Sequence, residues 1–211
     1  MKIAVLGAES TGKTELTRAL AAHFRAQGRS VTLVAEVLRE WCENTGRVPV
    51  ASEQLAIAQE QARRADASDS DVLIADTGPL MIAVYSDMLF NDSAIYGMAL
   101  AHQRTYDATL VTGIDLPWVA DGLRDGPHAQ EPTDRLLRAA LARGNIDYKV
   151  VYGTGPERLR NALMAIDATI HPRLQASSSQ NWSCDKCSDP ECEHHLFTGL
   201  LQSRAAGRPG P

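Results

Sequence analysis

The sequence predicts an α/β protein in which a parallel sheet carries helices on both faces. Strand and helix signals alternate along the chain, the strand signals are short and apolar, and a glycine-bearing loop joins the first strand to the first helix. That loop, at residues 7–14, fits the pattern G-x-x-x-x-G-K-[ST] at every fixed position. The predicted class is therefore the P-loop nucleoside triphosphatase fold, followed here by a small C-terminal Cys/His segment.

The predicted elements follow one another without an internal repeat. Five short apolar runs suit buried strands, and they lie at residues 2–6, 31–35, 71–76, 108–112 and 148–151. Helical spacing of apolar residues predicts the helices, at residues 15–24, 36–42, 52–67, 80–89, 94–103, 133–143 and 155–168. Ser52 is the predicted N-cap of the third helix, and Pro172 is expected to close the last one. Because ligands of parallel sheets collect at the carboxyl ends of the strands, we expect one shared site there.

Length and composition favour one globular domain with a small appendage. The 211 residues are 44% hydrophobic and have a formal charge of −5, which argues against a general nucleic-acid binder. The apolar runs are too short to cross a bilayer, and strand-like sequence occupies the place of a signal peptide. We therefore expect a cytoplasmic protein without a membrane or nucleic-acid partner. The expected parts are a P-loop domain, a linker, a Cys/His segment and a flexible tail, at residues 1–172, 173–181, 182–197 and 198–211.

The loop at residues 7–14 predicts that the protein binds ATP. Its backbone N–H groups can turn toward phosphate oxygens, and the following helix adds partial positive charge at its N-terminus. Lys13 can reach the β- and γ-phosphates, and the Thr14 hydroxyl can bind Mg²⁺. The predicted nucleotide-binding residues are Gly7, Glu9, Ser10, Thr11, Gly12, Lys13 and Thr14.

Carboxylates stand at the ends of two further predicted strands. Asp76 can hold Mg²⁺ or accept a proton from a substrate hydroxyl, and the alternative is a cap on the next helix. Glu36 can face a phosphoryl acceptor, or it can favour the first turn of a helix through the helix dipole. Arg39 can clamp a phosphate or pair with Glu36 or Glu40. Asp76, Glu36 and Lys13 are the candidate catalytic residues of this part of the chain.

Residues 112–125, after the fourth predicted strand, suit a mobile lid because they combine glycines, a proline and charges. Arg124 could supply positive charge to a transferring phosphoryl group, which is a large part of what a kinase contributes to that reaction. Arg135 is a second candidate for the same role. Each could instead be a solvated arginine on the surface.

The lid sequence Pro-Trp-Val-Ala-Asp-Gly-Leu-Arg, residues 117–124, resembles the lid signature of the bacterial nicotinamide riboside kinase domain. That domain occurs in bifunctional NAD-biosynthesis regulators and belongs to a P-loop group of NAD-linked ATPases and kinases. The P-loop, the step from Glu36 to Glu40, the pair Asp76-Thr77 and the lid follow in the same order over about residues 1–170. The resemblance implies that ATP and nicotinamide riboside give ADP and nicotinamide mononucleotide. It also implies that Asp76 lies near the reacting hydroxyl and that Arg124 closes over the phosphates.

The chain departs from that family where the riboside is held. The family uses an aromatic residue just before the second-strand glutamate, where Ala35 stands, and a further aromatic in the helix before Asp76, where residues 59–67 contain none. The family's Asp-Thr-Asp step is Asp-Thr-Gly here, at residues 76–78. A cationic nicotinamide ring is normally held by aromatic faces. The candidates for that role are Trp41, Tyr85 and Trp118.

Three of the four cysteines lie close together near the C-terminus, and two histidines follow them. Cys184, Cys187 and Cys192 with either His194 or His195 would complete a tetrahedral Zn²⁺ site. Because no position would remain open for water, such a site would be structural. The alternative is an unstructured tail with incidental cysteines.

These residues predict an ATP-dependent small-molecule kinase that phosphorylates a nucleoside-like acceptor, with nicotinamide riboside as the specific candidate. The alternative is a regulatory ATPase or nucleotide-binding protein whose zinc-stabilised segment contacts a protein partner. The missing aromatics favour the alternative, and Arg124 in the lid favours the kinase. A GTPase is disfavoured because the chain contains no N-K-x-D element.

Overall fold

Five parallel strands form the sheet of the computed structural model, which describes residues 1–119 and 127–170. The strands are β1 (Lys2–Leu6), β2 (Val31–Val34), β3 (Val72–Asp76), β4 (Ala108–Thr112) and β5 (Lys149–Val151). The helices are α1 (Lys13–Ala26), α2 (Val37–Thr45), α3 (Ala51–Asp66), α4 (Pro79–Phe90), α5 (Tyr96–Gln103), α6 (Gln130–Arg143) and α7 (Gly155–Ile170). All five predicted strands are therefore present, and the predicted fold class is confirmed.

The strand order β2-β3-β1-β4-β5 puts β1 at the centre of the sheet. Strand β1 pairs in parallel with β3, where Val5 lies opposite Asp76, and with β4, where Leu6 lies opposite Val111. Because these three strands end at the same edge, the P-loop after β1 and the carboxylate at the end of β3 are neighbours. This register is what brings the predicted site residues of distant segments together.

Alternate residues of the central strand enter two different apolar layers. Ile3 and Val5 pack with residues of α1 and α7, whereas Ala4 and Leu6 pack with residues of α3 to α6. All four side chains are fully buried. A strand buried on both faces needs apolar residues at every position, which explains the continuous run at residues 2–6.

The predicted N-cap at Ser52 is wrong, because α3 begins at Ala51 and Val50 is the residue before it. The Glu53 carboxylate accepts the Val50 N–H at 2.9 Å, and the Glu53 N–H donates to the Val50 carbonyl at 3.0 Å. Arg47 binds both oxygens of Glu53 at 2.7 and 2.8 Å and lowers the pKa of that carboxyl to about 2. The N-terminus of α3 is therefore capped by a carboxylate from within the helix and not by a hydroxyl that precedes it.

The predicted boundary at residue 172, the linker at 173–181 and the two segments after it lie outside the described residues and stay predictions. The described part of the lid ends at Val119. Among the helices in residues 1–119 and 127–170, none is long and apolar enough to cross a membrane.

Candidate nucleotide and acceptor site

Two glycines give the P-loop its shape. Gly7 has a φ of +146°, and a Cβ atom there would collide with the Thr112 hydroxyl at the end of β4. Gly12 has a φ of +75° as the residue before α1, and a Cβ atom there would lie 2.9 Å from Cδ1 of Leu116. L-residues rarely adopt such φ values, so the loop can follow this path only with glycine at both positions.

Lys13 is the first residue of α1 and is 8% exposed. Its ammonium donates to the Gly7 carbonyl at 2.9 Å and to the Ala8 carbonyl at 2.6 Å. The charge therefore lies inside the curve of the loop, at the N-terminus of the helix. Helix dipole and ammonium together make this point favourable for an anion.

The Thr14 hydroxyl donates to Oδ2 of Asp76 at 2.6 Å, across the gap between α1 and β3. Asp76 is 5% exposed, and its other oxygen, Oδ1, is buried without a hydrogen-bond partner in the part of the chain that the structure describes. A hydroxyl and a carboxylate beside a phosphate site suit Mg²⁺, which is bound by few protein ligands together with substrate phosphates. The pair predicted from the sequence is thus in contact.

Arg158 on α7 is a site residue that the sequence analysis missed. It is 4% exposed, and its guanidinium donates to the Thr11 carbonyl at 2.8 Å and to the Gly153 carbonyl at 2.7 Å. It also donates to the Asp115 carboxylate at 3.2 Å. One buried cation therefore holds the P-loop, the loop after β5 and the base of the lid segment. No local pattern marks it, because an arginine in a helix is usually exposed.

A first cavity, of about 300 Å³, lies over the P-loop and is the natural place for the nucleotide phosphates. It is lined by residues 10–15 together with Arg39, Leu116, Pro117 and Val119. The Ser10 hydroxyl accepts the Val119 N–H at 2.8 Å, so the described part of the predicted lid contacts the P-loop directly.

A second cavity, of about 240 Å³, lies between the P-loop and helices α2 to α4. Glu9, one of the predicted nucleotide-binding residues, lines this second cavity and not the phosphate cavity, and its role in binding the nucleotide stays a prediction. Its Oε2 atom is buried without a hydrogen-bond partner among the described residues. Lys13 and Arg39 line both cavities. The two spaces therefore meet at two cationic side chains.

Glu36 precedes α2 and lines the second cavity with 14% of its side chain exposed. The Arg39 guanidinium lies 3.4 Å from its carboxylate, whereas Glu40 pairs with Arg64 at 2.5 Å. The structure shows the pairing of Arg39 with Glu36 that was one of the two sequence alternatives. Arg39 also lines the phosphate cavity, and its role as a phosphate clamp stays a prediction.

Only one of the three aromatic candidates lines the second cavity. Tyr85 on α4 does so, while Trp41 packs beneath the Arg47 guanidinium at 4.7 Å and Trp118 lines neither cavity. Phe90, at the end of α4, is a further aromatic in the wall that the sequence analysis did not select. Cys42 also lines the wall, where burial, with Glu36 and Glu43 nearby, raises the pKa of its thiol.

The remaining predicted residues are not part of the described site. Arg124 lies outside the described residues, as do Cys184, Cys187, Cys192, His194 and His195, so their roles stay predictions. Arg135 is exposed on α6, whereas Gln130 of the same helix donates to the Glu9 carbonyl at 2.8 Å.

Solved structures similar to this one include two of the NadR protein. The complex with NR shares 17% sequence identity at a TM-score of 0.64, over 81% of this chain and 50% of that chain. The complex with NAD and AMP-PNP shares 18% sequence identity at a TM-score of 0.63, over 87% of this chain and 51% of that chain. The chain thus spans about half the length of these two proteins. Thymidylate kinase from Ehrlichia chaffeensis shares 14% sequence identity at a TM-score of 0.55, over 80% of this chain and 97% of that chain.

At these identities the similarity establishes the fold, which is that of P-loop kinases. No curated protein sequence matches the chain. The family model for the AAA domain matches residues 2–158, which is well over half of the chain. The chain therefore belongs to the AAA domain family of P-loop proteins.

Proposed function

We propose that this protein is an ATP-dependent kinase that transfers the γ-phosphoryl group to a hydroxyl of a nucleoside-like acceptor. The observation that carries the proposal is the meeting of two cavities at Lys13 and Arg39. A kinase must hold a triphosphate and a separate acceptor so that one reacting phosphorus lies between them. A protein that used ATP only as a switch would need the first cavity alone.

Different residues would serve different parts of the reaction. The acceptor oxygen bonds to the γ-phosphorus, the bond from that phosphorus to the β–γ bridging oxygen breaks, and the hydroxyl proton passes to a carboxylate. Glu36 suits the role of proton acceptor because it lines the second cavity, which would hold the phosphoryl acceptor and is called the acceptor cavity below. One oxygen of Asp76, in contrast, is hydrogen-bonded to Thr14. Thr14 and Asp76 would hold Mg²⁺, which supplies charge compensation for the phosphates.

Nicotinamide riboside is the specific acceptor that we propose. Two carboxylates, Glu9 and Glu36, line the second cavity, where Lys13 and Arg39 balance their charge. Tyr85 and Phe90 offer aromatic faces in the same wall, which is how proteins often hold such rings. The fold shared with a NadR complex that contains NR adds support, and the family's aromatic position at Ala35 counts against it.

A screen of ATP consumption over nucleosides, including nicotinamide riboside, tests the proposal when the mass of the product is determined. We expect ATP to be consumed only when one class of acceptor is present. The product should then be about 80 Da heavier than that acceptor, which is the mass of one added phosphoryl group. ATP hydrolysis at the same rate with and without every acceptor would reject the kinase and favour the regulatory ATPase.

Arg124→Ala is expected to lower kcat more than it weakens ATP binding. The lid arginine would act mainly when the lid closes, so its contact with the phosphoryl group would strengthen in the transition state. Steady-state kinetics and ATP titration of both proteins measure the difference, and Arg135→Ala, an exposed arginine on α6, is the matched control. An unchanged kcat with a raised KM for ATP would mean that Arg124 binds only ground-state phosphate.

Purified protein is expected to hold about one zinc ion per chain, bound by Cys184, Cys187, Cys192 and one of His194 or His195. Removal of zinc is expected to loosen residues 182–197 and leave ATP binding intact, since a serine-rich linker separates the two parts. Metal analysis of protein purified without added zinc checks the stoichiometry. A value near zero with three freely titratable thiols would support the unstructured tail, and loss of ATP binding on zinc removal would refute the proposed boundary.

A further inference from the structure

Arg39 of α2 lies where the two cavities meet. Its side chain is 36% exposed and lines both of them, whereas Glu36 lines the acceptor cavity and not the phosphate cavity. Lys13, the other cation that lines both spaces, donates to the Gly7 and Ala8 carbonyls at 2.9 and 2.6 Å. In the part of the chain that the structure describes, Arg39 is thus the cation at this junction that no P-loop carbonyl holds.

The ion pair of Arg39 with Glu36 is looser than the other arginine pairs of α2 and α3. Its nitrogen and oxygen lie 3.4 Å apart, whereas Arg47 binds both oxygens of Glu53 at 2.7 and 2.8 Å. A charge-assisted N–H···O bond is normally about 2.7–2.9 Å long, and a guanidinium has five N–H donors. Arg39 therefore keeps most of its hydrogen-bonding capacity for a better partner.

The γ-phosphate of ATP has the chemistry of that better partner. It presents several charged oxygens, and a guanidinium can bind phosphate through two parallel N–H bonds. The contact of Arg39 with Glu36, at 3.4 Å, offers neither the second bond nor the higher charge. Because Arg39 already lines the phosphate cavity, a bound triphosphate would compete with Glu36 for its guanidinium.

We infer that Arg39 is a further catalytic residue, which exchanges Glu36 for the γ-phosphate when ATP binds. Glu36 then replaces its contact with Arg39 by one to the acceptor hydroxyl, and a carboxylate that has lost a neighbouring cation takes up a proton more readily. ATP and the acceptor therefore strengthen each other's binding, because such coupling is reciprocal. This inference rests on the proposed function for the two ligands, and it deepens it by naming how one ligand prepares the site for the other.

A double-mutant cycle with the nucleotide alone tests the exchange. Calorimetry with Mg²⁺ compares AMP-PNP, which has a γ-phosphate, with ADP, which has none. Glu36→Gln is expected to tighten AMP-PNP binding by about threefold or more, since the amide competes weakly for Arg39, and to change ADP binding less. In Arg39→Gln protein the same substitution is expected to have little effect. A gain from Glu36→Gln that is equal in both backgrounds would overturn the inference, because it would reflect only the removed negative charge.

Binding of nicotinamide riboside tests the consequence for the acceptor. We expect wild type to bind it about fivefold or more tightly with AMP-PNP present than with ADP present. Arg39→Gln is expected to bring this ratio close to one, whereas a purely structural role of Arg39 would weaken both affinities and keep the ratio. Arg64→Gln is the matched control, because Arg64 pairs with Glu40 of the same helix and lines neither cavity. The same ratio in wild type and Arg39→Gln would contradict the inference.

The two experiments separate this inference from the proposed function. A cycle that shows the expected coupling in a protein that binds no nucleoside would support the exchange and reject the nucleoside acceptor. Phosphorylation of a nucleoside together with an additive cycle would do the opposite: it would support the kinase and rule out the exchange of partners by Arg39.

Discussion

Lys13→Ala is expected to lower nucleotide affinity, turnover or both by at least tenfold, on the order of 1.4 kcal/mol or more. The ammonium lies inside the loop, where it donates to the Gly7 and Ala8 carbonyls. It also lines both cavities, so its removal takes positive charge from the place expected for the phosphates and from the point where the proposed acceptor would meet them. ATP titration by calorimetry and steady-state turnover measure the two parts of the effect.

The control for this substitution must separate lost charge from a disturbed loop. Lys149→Ala removes an exposed lysine on β5 and is expected to change neither measurement. Thermal unfolding of Lys13→Ala reports whether the loss of the two carbonyl contacts destabilises the fold. Nucleotide binding and turnover that both match wild type would sink the assignment of residues 7–14 as a phosphate site.

The sequence predicted mainly those parts of the site whose conformation depends on residues close together in the chain. The eight residues 7–14 contain the whole pattern: two glycines at positive φ, a lysine in the first turn of a helix and a hydroxyl after it. The contact of Thr14 with Asp76 was also predictable, because parallel neighbours β1 and β3 end at one edge of the sheet. The central strands β1, β3 and β4 are buried at nearly every position, so they form clear apolar runs in the sequence. The edge strands β2 and β5 are less buried, but each still coincides with a short run rich in valine.

The parts that were missed depend on tertiary contacts. Glu9 belongs to the phosphate-loop pattern, yet it lines the second cavity and not the phosphate cavity, because the path of the loop and not the motif decides which space a residue meets. Gln54 and Gln61 on α3 look alike in the sequence, and only their surroundings differ: the Gln61 oxygen accepts the Val37 N–H, whereas the Gln54 oxygen has no hydrogen-bond partner among the described residues. The start of α3 was misplaced because Arg47 and Glu53 provide a cap that a search for a preceding hydroxyl does not detect.

Arg158→Met is expected to lower the free energy of unfolding by roughly 2–4 kcal/mol, because it leaves buried carbonyls without their donor. Methionine keeps most of the volume of the side chain, but it cannot donate to the Thr11 and Gly153 carbonyls or to Asp115. Urea unfolding followed by circular dichroism measures the loss. Arg160→Met, an exposed arginine on the same helix, is the matched control and is expected to stay within about 0.5 kcal/mol of wild type.

The same substitution is expected to weaken ATP binding although Arg158 lines neither of the two cavities. Thr11 is held from three directions, since its hydroxyl donates to the Ala8 carbonyl at 2.7 Å and bonds the Thr112 hydroxyl at 2.7 Å while its carbonyl accepts from Arg158. Releasing the carbonyl lets the peptide at the tip of the loop turn, so that its N–H groups no longer point in a fixed direction toward the phosphates. Calorimetry below the unfolding temperature of the variant isolates this effect from global stability. ATP affinity equal to wild type in a measurably less stable Arg158→Met would mean that the arginine supports the fold alone and does not position the loop.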